Sequence, residues 1–276
     1  MGEWDNLVEA LFEDTRDGSR DMWGLKQRGV LCYRTKIIRA GDQLECIGYP
    51  IVTREYAGRA RTRKPTPAAQ KKVNDREMKR RLVRKAEANF SRQSLFLTLT
   101  YGQDPGEEQA HRDLSNYLRR LKYASKGKLK YIAVTEIGHN GRVHHHILMD
   151  GVSRDLAESK WREGYVNARR YQHTRGGFTG LIQYMTKKNS TLDPGEEGIG
   201  KKRVRCSTGL REPEVRTSDH RISRRRMEMI AQETAASSAM TLEKVFRGYT
   251  IVEPPVITSS WYLPGAFLYA KLRKKE

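Results

Sequence analysis

The chain has 276 residues, a hydrophobic fraction of 37% and a formal net charge of +20 at pH 7. A chain of this length can form one large domain or two small ones, and no apolar run is long enough to span a membrane. The acidic N-terminus does not have the basic and then apolar pattern of a signal peptide, and the 3 cysteines form no CxxC pair. We therefore expect a cytoplasmic protein with no membrane partner.

The excess of positive charge indicates a polyanionic partner, because so basic a surface otherwise repels itself. Lysine and arginine contacts to phosphates release counterions and so favour binding to nucleic acid. An anionic membrane is the competing partner, but the sequence has no basic amphipathic anchor or lipidation signal. Nucleic acid is therefore the expected partner.

Residues 1–91 are predicted to form a basic N-terminal region that begins with an acidic helix. Apolar residues recur at helical spacing between acids in residues 1–22. We expect this helix to dock on the body of the protein, and the alternative is that it binds a partner or shields a basic groove. Residues 30–56 have the pattern of β-structure, with a turn at Ala40-Gly41-Asp42.

A basic helix is predicted from Pro67, after Thr66 as the N-cap, to about Asn89. Its apolar stripe is narrow, and basic residues occupy most of its faces. A charge run is usually a solvated face, but this density favours contact with phosphates. The residues predicted to bind nucleic acid are Arg80, Arg81, Arg84, Lys85 and, in a later segment, Arg142.

Residues 92–190 are predicted to form the core domain of the protein. The sequence predicts these elements in turn: a strand at 95–101, a helix starting near 104 and ended by Gly127, a strand at 131–136, a hairpin turn at Asn140-Gly141, a strand at 142–150, a short helix near 156–161, a strand near 165–169 and a helix from about 178 to 188. This order predicts an α+β fold, with a ferredoxin-like or RRM-like antiparallel sheet and helices on one side.

Residues 191–276 are predicted to pack on this core as a helical and extended C-terminal region. Helical patterns cover residues 221–236 and 241–246, and residues 248–253 look extended. This region by itself indicates no function.

Three consecutive histidines lie on the predicted strand at 142–150, in a chain with only 7 histidines. Because side chains alternate along a strand, His144 and His146 face one side and His145 faces the other. Two imidazoles on one sheet face can hold a divalent metal and leave positions open for a substrate. A histidine-rich surface strand or an unrelated structural metal site is the alternative.

Glu136, on the preceding strand, is the candidate third metal ligand. A two-residue turn at Asn140-Gly141 pairs Glu136 with His145, on the face away from the metal. Glu136 joins His144 and His146 only if the connection is odd in length or contains a bulge, for example at Gly138. We therefore predict a three-residue loop or a bulge there.

Tyr184 is the candidate nucleophile on the last predicted helix of the core. Lys187 and Lys188 follow it at i+3 and i+4. On a helix these positions lie on the same face as Tyr184. A phenol is mostly protonated and a poor nucleophile at neutral pH. A neighbouring ammonium group and a metal-polarised phosphate would help it to attack.

Three segments in this order resemble the motifs of the HUH endonucleases of rolling-circle replication, the single-tyrosine initiator (Rep) proteins of phages and plasmids. Phe96–Tyr101 resembles the first motif, Val143–Leu148 the metal-binding second motif, and Tyr184–Lys187 the tyrosine motif with its lysine. Lys202–Leu210 resembles a segment that follows the tyrosine helix. The family usually has a bulky apolar residue where this chain has His145.

The resemblance implies a replication initiator that nicks and joins single-stranded origin DNA, with the HUH motif on a central strand. His144, His146 and Glu136 would bind Mg²⁺ or Mn²⁺. Tyr184 would form a 5′-phosphotyrosine and release a 3′-hydroxyl, with Lys187 as the family's lysine and Lys188 as its substitute or a phosphate contact. A host helicase and polymerase would be partners in the host cytoplasm.

Two other functions remain as alternatives. An HUH transposase or relaxase shares this chemistry, but the single candidate tyrosine and the lack of a GxxxxGK[ST] phosphate loop favour replication initiation. A non-enzymatic module could bind single strands by stacking and charge alone, without a metal or a tyrosine nucleophile.

Overall fold

The computed structural model describes residues 28–54, 67–137, 142–172, 174–186, 204–260 and 263–275. Several predicted features lie outside these residues: the acidic helix over 1–22, Thr66, the Asn140-Gly141 turn, Lys187 and Lys188. None of the described helices is long and apolar enough to cross a membrane.

The chain forms two compact units, and the first combines an N-terminal and a C-terminal segment of the sequence. It contains the described residues up to Arg80 and those from Pro213 onward. Its strands are β1 (Val30–Ala40), β2 (Gln43–Val52), β8 (Glu214–Ser218), β9 (Tyr249–Ile251), β10 (Val256–Ser259) and β11 (Ala266–Lys274). Their order in the sheet is β10-β11-β2-β1-β8, and β9 also pairs with β11. The division predicted from the sequence was instead into consecutive segments, 1–91, 92–190 and 191–276.

The β1–β2 hairpin has the turn that the sequence predicts. Ala40 pairs with Gln43, so Gly41 and Asp42 form a two-residue loop, and Gly41 has a positive φ of 56°. Such a turn suits glycine, since positive φ carries no Cβ penalty there. One face of this sheet packs against helices α5 (Arg224–Gln232) and α6 (Ala235–Val245) in an apolar cluster.

Helix α1 (Pro67–Asn89) has the bounds predicted from the sequence and carries the chain into the second unit, Arg81–Glu212. The further elements of this unit are β3 (Leu95–Tyr101), α2 (Glu107–Ala124), β4 (Lys130–Ile137), β5 (Val143–Asp150), α3 (Arg154–Ser159), β6 (Gly164–Arg170), α4 (Thr179–Met185) and β7 (Val204–Cys206). The sheet order is β6-β3-β5-β4-β7, and every neighbouring pair is antiparallel. This is the ferredoxin-like order with one added edge strand, so the α+β prediction is confirmed and β5 is central.

The two faces of the second sheet differ in character. Leu97, Leu99 and Ile147 point to one face and pack against α2 residues such as Leu114 and Tyr117. The opposite face carries the alternate residues of the same strands, including two of the three histidines. Helices α2 and α3 lie on the apolar face as predicted. Helix α4 contacts the histidine face instead, so the prediction that all helices lie on one side of the sheet is wrong for this helix.

Candidate active site

The strand register places Glu136 on the same face as His144 and His146. Glu136 pairs with His144, and Ile137 pairs with Val143. Residues 138–142 connect these paired positions, an odd number, which meets the condition for Glu136 to face the same side as His144 and His146. The connection is longer than the three-residue loop predicted from the sequence. The conformation of residues 138–141 lies outside the described residues.

His146 is held between a carboxylate and a hydroxyl group. Its Nε2 lies 2.8 Å from Oε2 of Glu136, and its Nδ1 lies 3.2 Å from Oγ1 of Thr98. The ring of Phe96 stacks on the imidazole, with centroids 6.0 Å apart and planes 14° apart. These contacts fix the ring of His146, which is only 4% exposed, in one orientation on the sheet.

His144 has the same relationship to the next threonine along β3. Its Nδ1 lies 3.4 Å from Oγ1 of Thr100, and the two residues pair across β3 and β5. Because Nδ1 faces the hydroxyl group, Nε2 is the nitrogen that a metal ion would use. The non-ligating nitrogen of a metal-binding histidine usually donates to an oxygen acceptor that orients the ring, and the Thr100 hydroxyl oxygen can serve as that acceptor.

The donor set fits a divalent cation in kind, although no three His, Cys, Asp or Glu side chains in the described part of the chain form a ready-made metal cluster. Two ligands in neighbouring octahedral positions around Mg²⁺ are about 3 Å apart. The 2.8 Å between Nε2 of His146 and Oε2 of Glu136 is close to that spacing. Metal binding requires Nε2 without its proton, and the Thr98 hydroxyl can then accept from Nδ1 instead of donating to it. The types of the three residues, and the spacing between His146 and Glu136, therefore suit the predicted cation.

His145 belongs to the core, as the alternation predicts. Its Nδ1 lies 2.9 Å from Oγ1 of Thr135, and its Nε2 lies 3.0 Å from the hydroxyl oxygen of Tyr101. Tyr101 donates its only hydroxyl proton to the carbonyl oxygen of Ala110, so it accepts from Nε2–H while Thr135 donates to Nδ1. Burial lowers the pKa of His145 to about 3, and positive charge at His111 and Arg205 adds to the effect. The neutral ring thus satisfies every polar atom of this chain of contacts.

Tyr184 lies on the histidine face beside His146. The two rings are 5.3 Å apart between centroids, at 65°, and the Tyr184 ring is also edge-on to Phe96 at 6.1 Å. Tyr184 is 52% exposed, so a macromolecular substrate can reach it. The structure therefore brings together four of the predicted site residues: His144, His146, Glu136 and Tyr184.

Buried contacts at the start of α4 hold Tyr184 in place. The ring of Phe178 stacks on Tyr171 at 4.3 Å and is edge-on to Phe90. The backbone N–H of Phe178 donates to the Glu87 carboxylate at the end of α1. Helix α4 ends at Met185 with Thr186 as its C-cap, so it ends three residues before the helix predicted from the sequence. Lys187 and Lys188 lie outside the described residues.

The residues predicted to bind nucleic acid have different surroundings. Arg81 and Arg142 are exposed, whereas Arg84 is buried. Lys85 forms an ion pair of 2.7 Å with Glu212, and the Arg80 guanidinium lies 4.6 Å from the ring centroid of Tyr269. Their role in binding stays a prediction, and Arg84 and Lys85 have structural roles besides.

Thr98 and Thr100 are residues of the site for which the sequence gives only a weak signal. On a strand, threonine is usually structural, and nothing local links these residues to a histidine motif more than 40 residues away. The available signal is spacing: both pairs, Thr98 with Thr100 and His144 with His146, are two residues apart on strands that become neighbours. The Phe96 ring beside His146 gave no comparable signal.

Residues 94–189 match the family model described as replication-associated protein ORF2/G2P. The matched segment is roughly a third of the chain and contains β3, the histidine strand and Tyr184. Comparison with curated proteins and with solved structures gave no match. The match supports a replication-initiator-like protein with a role in DNA replication.

Proposed function

We propose that this protein initiates rolling-circle replication by nicking and rejoining single-stranded origin DNA through Tyr184. The observation that carries the proposal is the position of Tyr184, whose ring lies 5.3 Å from that of His146 on the face that also carries Glu136. A replication-associated family match over the same segment supports it. Single-stranded DNA is the substrate, and the phosphodiester is the reacting group.

The reaction is a transesterification at one phosphodiester. The Tyr184 phenol oxygen forms a bond to phosphorus, and the bond from phosphorus to the 3′-oxygen breaks. The phenol gives up its proton and the departing 3′-oxygen gains one, so the products are a 5′-phosphotyrosine and a free 3′-hydroxyl. Since one ester replaces another, a later 3′-hydroxyl can reverse the step and join strands.

Each side chain has a part in this reaction. His144, His146 and Glu136 would hold Mg²⁺ or Mn²⁺, which when bound polarises the phosphate and offsets its negative charge. Thr98 and Thr100 orient the two imidazoles through their Nδ1 atoms. Lys187 and Lys188 would supply positive charge close to Tyr184. Phe96 and the buried start of α4 keep the phenol beside the histidines.

The test is the formation of a covalent adduct between the protein and single-stranded origin-like oligonucleotides in the presence of Mn²⁺. Wild-type protein is expected to form the adduct, and chelation with EDTA is expected to prevent it. Tyr184→Phe should form none, while Tyr123→Phe, which changes an exposed tyrosine on α2, should react as the wild type does.

An adduct formed by Tyr184→Phe would show that another residue is the nucleophile. Tight binding of single strands without cleavage, whichever metal or substrate is used, would favour the non-enzymatic binding module. Cleavage only at transposon ends or transfer origins would favour a transposase or a relaxase.

A further inference from the structure

Strand β6 presents three polar or aromatic side chains that the proposed chemistry does not use. Tyr165, Asn167 and Arg169 alternate along the strand, and we name them the β6 strip. All three are exposed, and Tyr165 is 76% exposed. The residues between them, Val166 and Ala168, pack into the apolar cluster on the other face. The strip therefore lies on the histidine face.

The register connects each residue of the strip to the candidate active site across strand β3. Tyr165 pairs with Thr100, which contacts His144, and Asn167 pairs with Thr98. The strip therefore lies one strand away from the threonines that orient the histidines, at a separation of about 5 Å.

Arg169 links the strip to the neighbourhood of Tyr184. It pairs with Phe96, and its guanidinium carbon lies 5.3 Å from the centroid of that ring. The Phe96 ring is in turn edge-on to Tyr184. From Tyr165 to Arg169 the strip is roughly 13 Å long. The strip thus runs alongside the candidate active site, from the level of His144 at one end to the neighbourhood of Tyr184 at the other.

The chemistry of the strip matches single-stranded DNA. An exposed tyrosine ring offers a face on which a base can stack, and every base has such a face. The amide of Asn167 can donate to and accept from base edges, and the guanidinium of Arg169 can bind a phosphate or stack on a base. A large exposed ring beside a positive charge, continuous with a site for phosphodiester chemistry, favours a single strand over an apolar partner.

We propose that the β6 strip is the platform for the single-stranded DNA next to the scissile phosphate, with Tyr165 stacking on a base. This inference rests on the proposed function, which places the scissile phosphate beside Tyr184 and the histidines. Tyr165 positions the strand, and Arg169 supplies a phosphate contact at the end of the strip nearer to Tyr184. The platform and the nucleophile are thus separate residues with separate tests.

The test measures binding without cleavage, in metal-free buffer and in a Tyr184→Phe background. Two probes are compared: fluorescent oligo(dT), and an abasic oligomer with the same number of phosphates. Tyr165→Ala is expected to lose about 5- to 150-fold in affinity for oligo(dT), the range for one stacked base, and to bind the abasic oligomer as before. Tyr165→Phe keeps the ring and should bind both probes normally.

Two further variants complete the design. Tyr123→Ala removes a tyrosine that is 89% exposed on α2 and should leave both affinities unchanged. Arg169→Gln should weaken binding to both probes and reduce the salt dependence of binding by about one phosphate contact.

Three results overturn the inference, two from the binding assay and one from the adduct assay. One is an unchanged preference for oligo(dT) in Tyr165→Ala, which would show that no base stacks on the ring and would favour a protein partner for it. The second is an equal loss for both probes in that variant. If Tyr165→Phe, with Tyr184 intact, binds normally but forms no covalent adduct with Mn²⁺, Tyr165 is a nucleophile and not a platform. Failure of the proposed function is seen separately, as the absence of an adduct from the wild-type protein.

Discussion

Glu136 and His146 are ten residues apart in the sequence, yet Oε2 of one lies 2.8 Å from Nε2 of the other. The contact exists because the connection between β4 and β5 is odd in length, which puts the carboxylate on the histidine face. An acid and an imidazole in this arrangement are suited to share a cation, and that suggests the first test.

Glu136→Gln is expected to weaken Mn²⁺ binding by about tenfold or more, because it replaces an anionic ligand with a neutral amide of the same shape. Titration calorimetry with Mn²⁺ measures the effect. The matched control is Glu228→Gln, which changes an acid that pairs with Arg224 on α5. Equal Mn²⁺ affinity in Glu136→Gln and the wild type would remove Glu136 from the metal site.

Thr98→Val is expected to weaken Mn²⁺ binding by about 10- to 100-fold, because it removes the hydroxyl group that orients His146. Valine keeps the β-branched shape, so the strand itself should be preserved. Thr98→Ser restores the hydroxyl group and should restore most of the affinity. The experiment compares Mn²⁺ affinity with the midpoint of urea unfolding in the three proteins. A valine variant that binds Mn²⁺ like the wild type would show that the contact has no orienting role.

The buried His145 should make stability depend on pH. Its pKa of about 3 in the folded protein is below the ordinary value of 6.5, so the neutral form is favoured by folding. At a pH above 6.5, His145 is neutral in both the folded and the unfolded chain, and its contribution to the free energy of unfolding is fully present. As the pH falls toward 3, the unfolded chain binds a proton that the folded chain does not, and the free energy of unfolding decreases.

Urea unfolding at pH 7 and pH 5 measures this dependence. Between these values the wild type should lose about 2 kcal/mol through His145 alone. In His145→Leu the free energy of unfolding should fall by about 2 kcal/mol less between pH 7 and pH 5 than in the wild type, whatever the stability of the variant at pH 7. His220→Leu, at an exposed position in the first unit, is the control and should keep the wild-type difference. Equal differences in the wild type and His145→Leu would contradict the prediction.

Cys46 should be the least reactive of the three cysteines. It is fully buried in β2, and burial raises the pKa of its thiol to about 12. Since the thiolate is the reactive form, alkylation by iodoacetamide at pH 8 should be slow at Cys46 and faster at the partly exposed Cys32. Mass spectrometry of the labelled peptides gives the rates, and urea should make them similar. Fast labelling of Cys46 in the folded protein would show that β2 opens readily.

Much of the second unit could be predicted from the sequence, because its signals are local. Alternation marks β3 and β5, the acids Asp104, Glu107 and Glu108 mark the start of α2, and Gly127, with a positive φ of 78°, follows its end. The order of these elements was enough to predict the sheet topology. The faces of the histidines followed from alternation alone, and the odd β4–β5 connection followed from requiring Glu136 to join them.

Contacts between distant segments could not be predicted in this way. Thr98 meets His146 because of the β3–β5 register, which no local pattern determines. The ion pair of Lys85 joins it to Glu212, a partner that the charge density of α1 does not reveal. The exposed position of Tyr165 likewise depends on which face of β6 is covered, and its residue type alone does not indicate that face.

The first unit has a consequence for biosynthesis. Its hairpin, β1 and β2, is translated early, but β2 pairs with β11 and β1 pairs with β8, which are translated after the whole of the second unit. Pairings so distant along the chain form slowly, since long loops must close first. The second unit can therefore complete its sheet on the ribosome while the hairpin still has two open edges. During that interval the hairpin, and not the candidate active site, is the part exposed to aggregation and in need of chaperones.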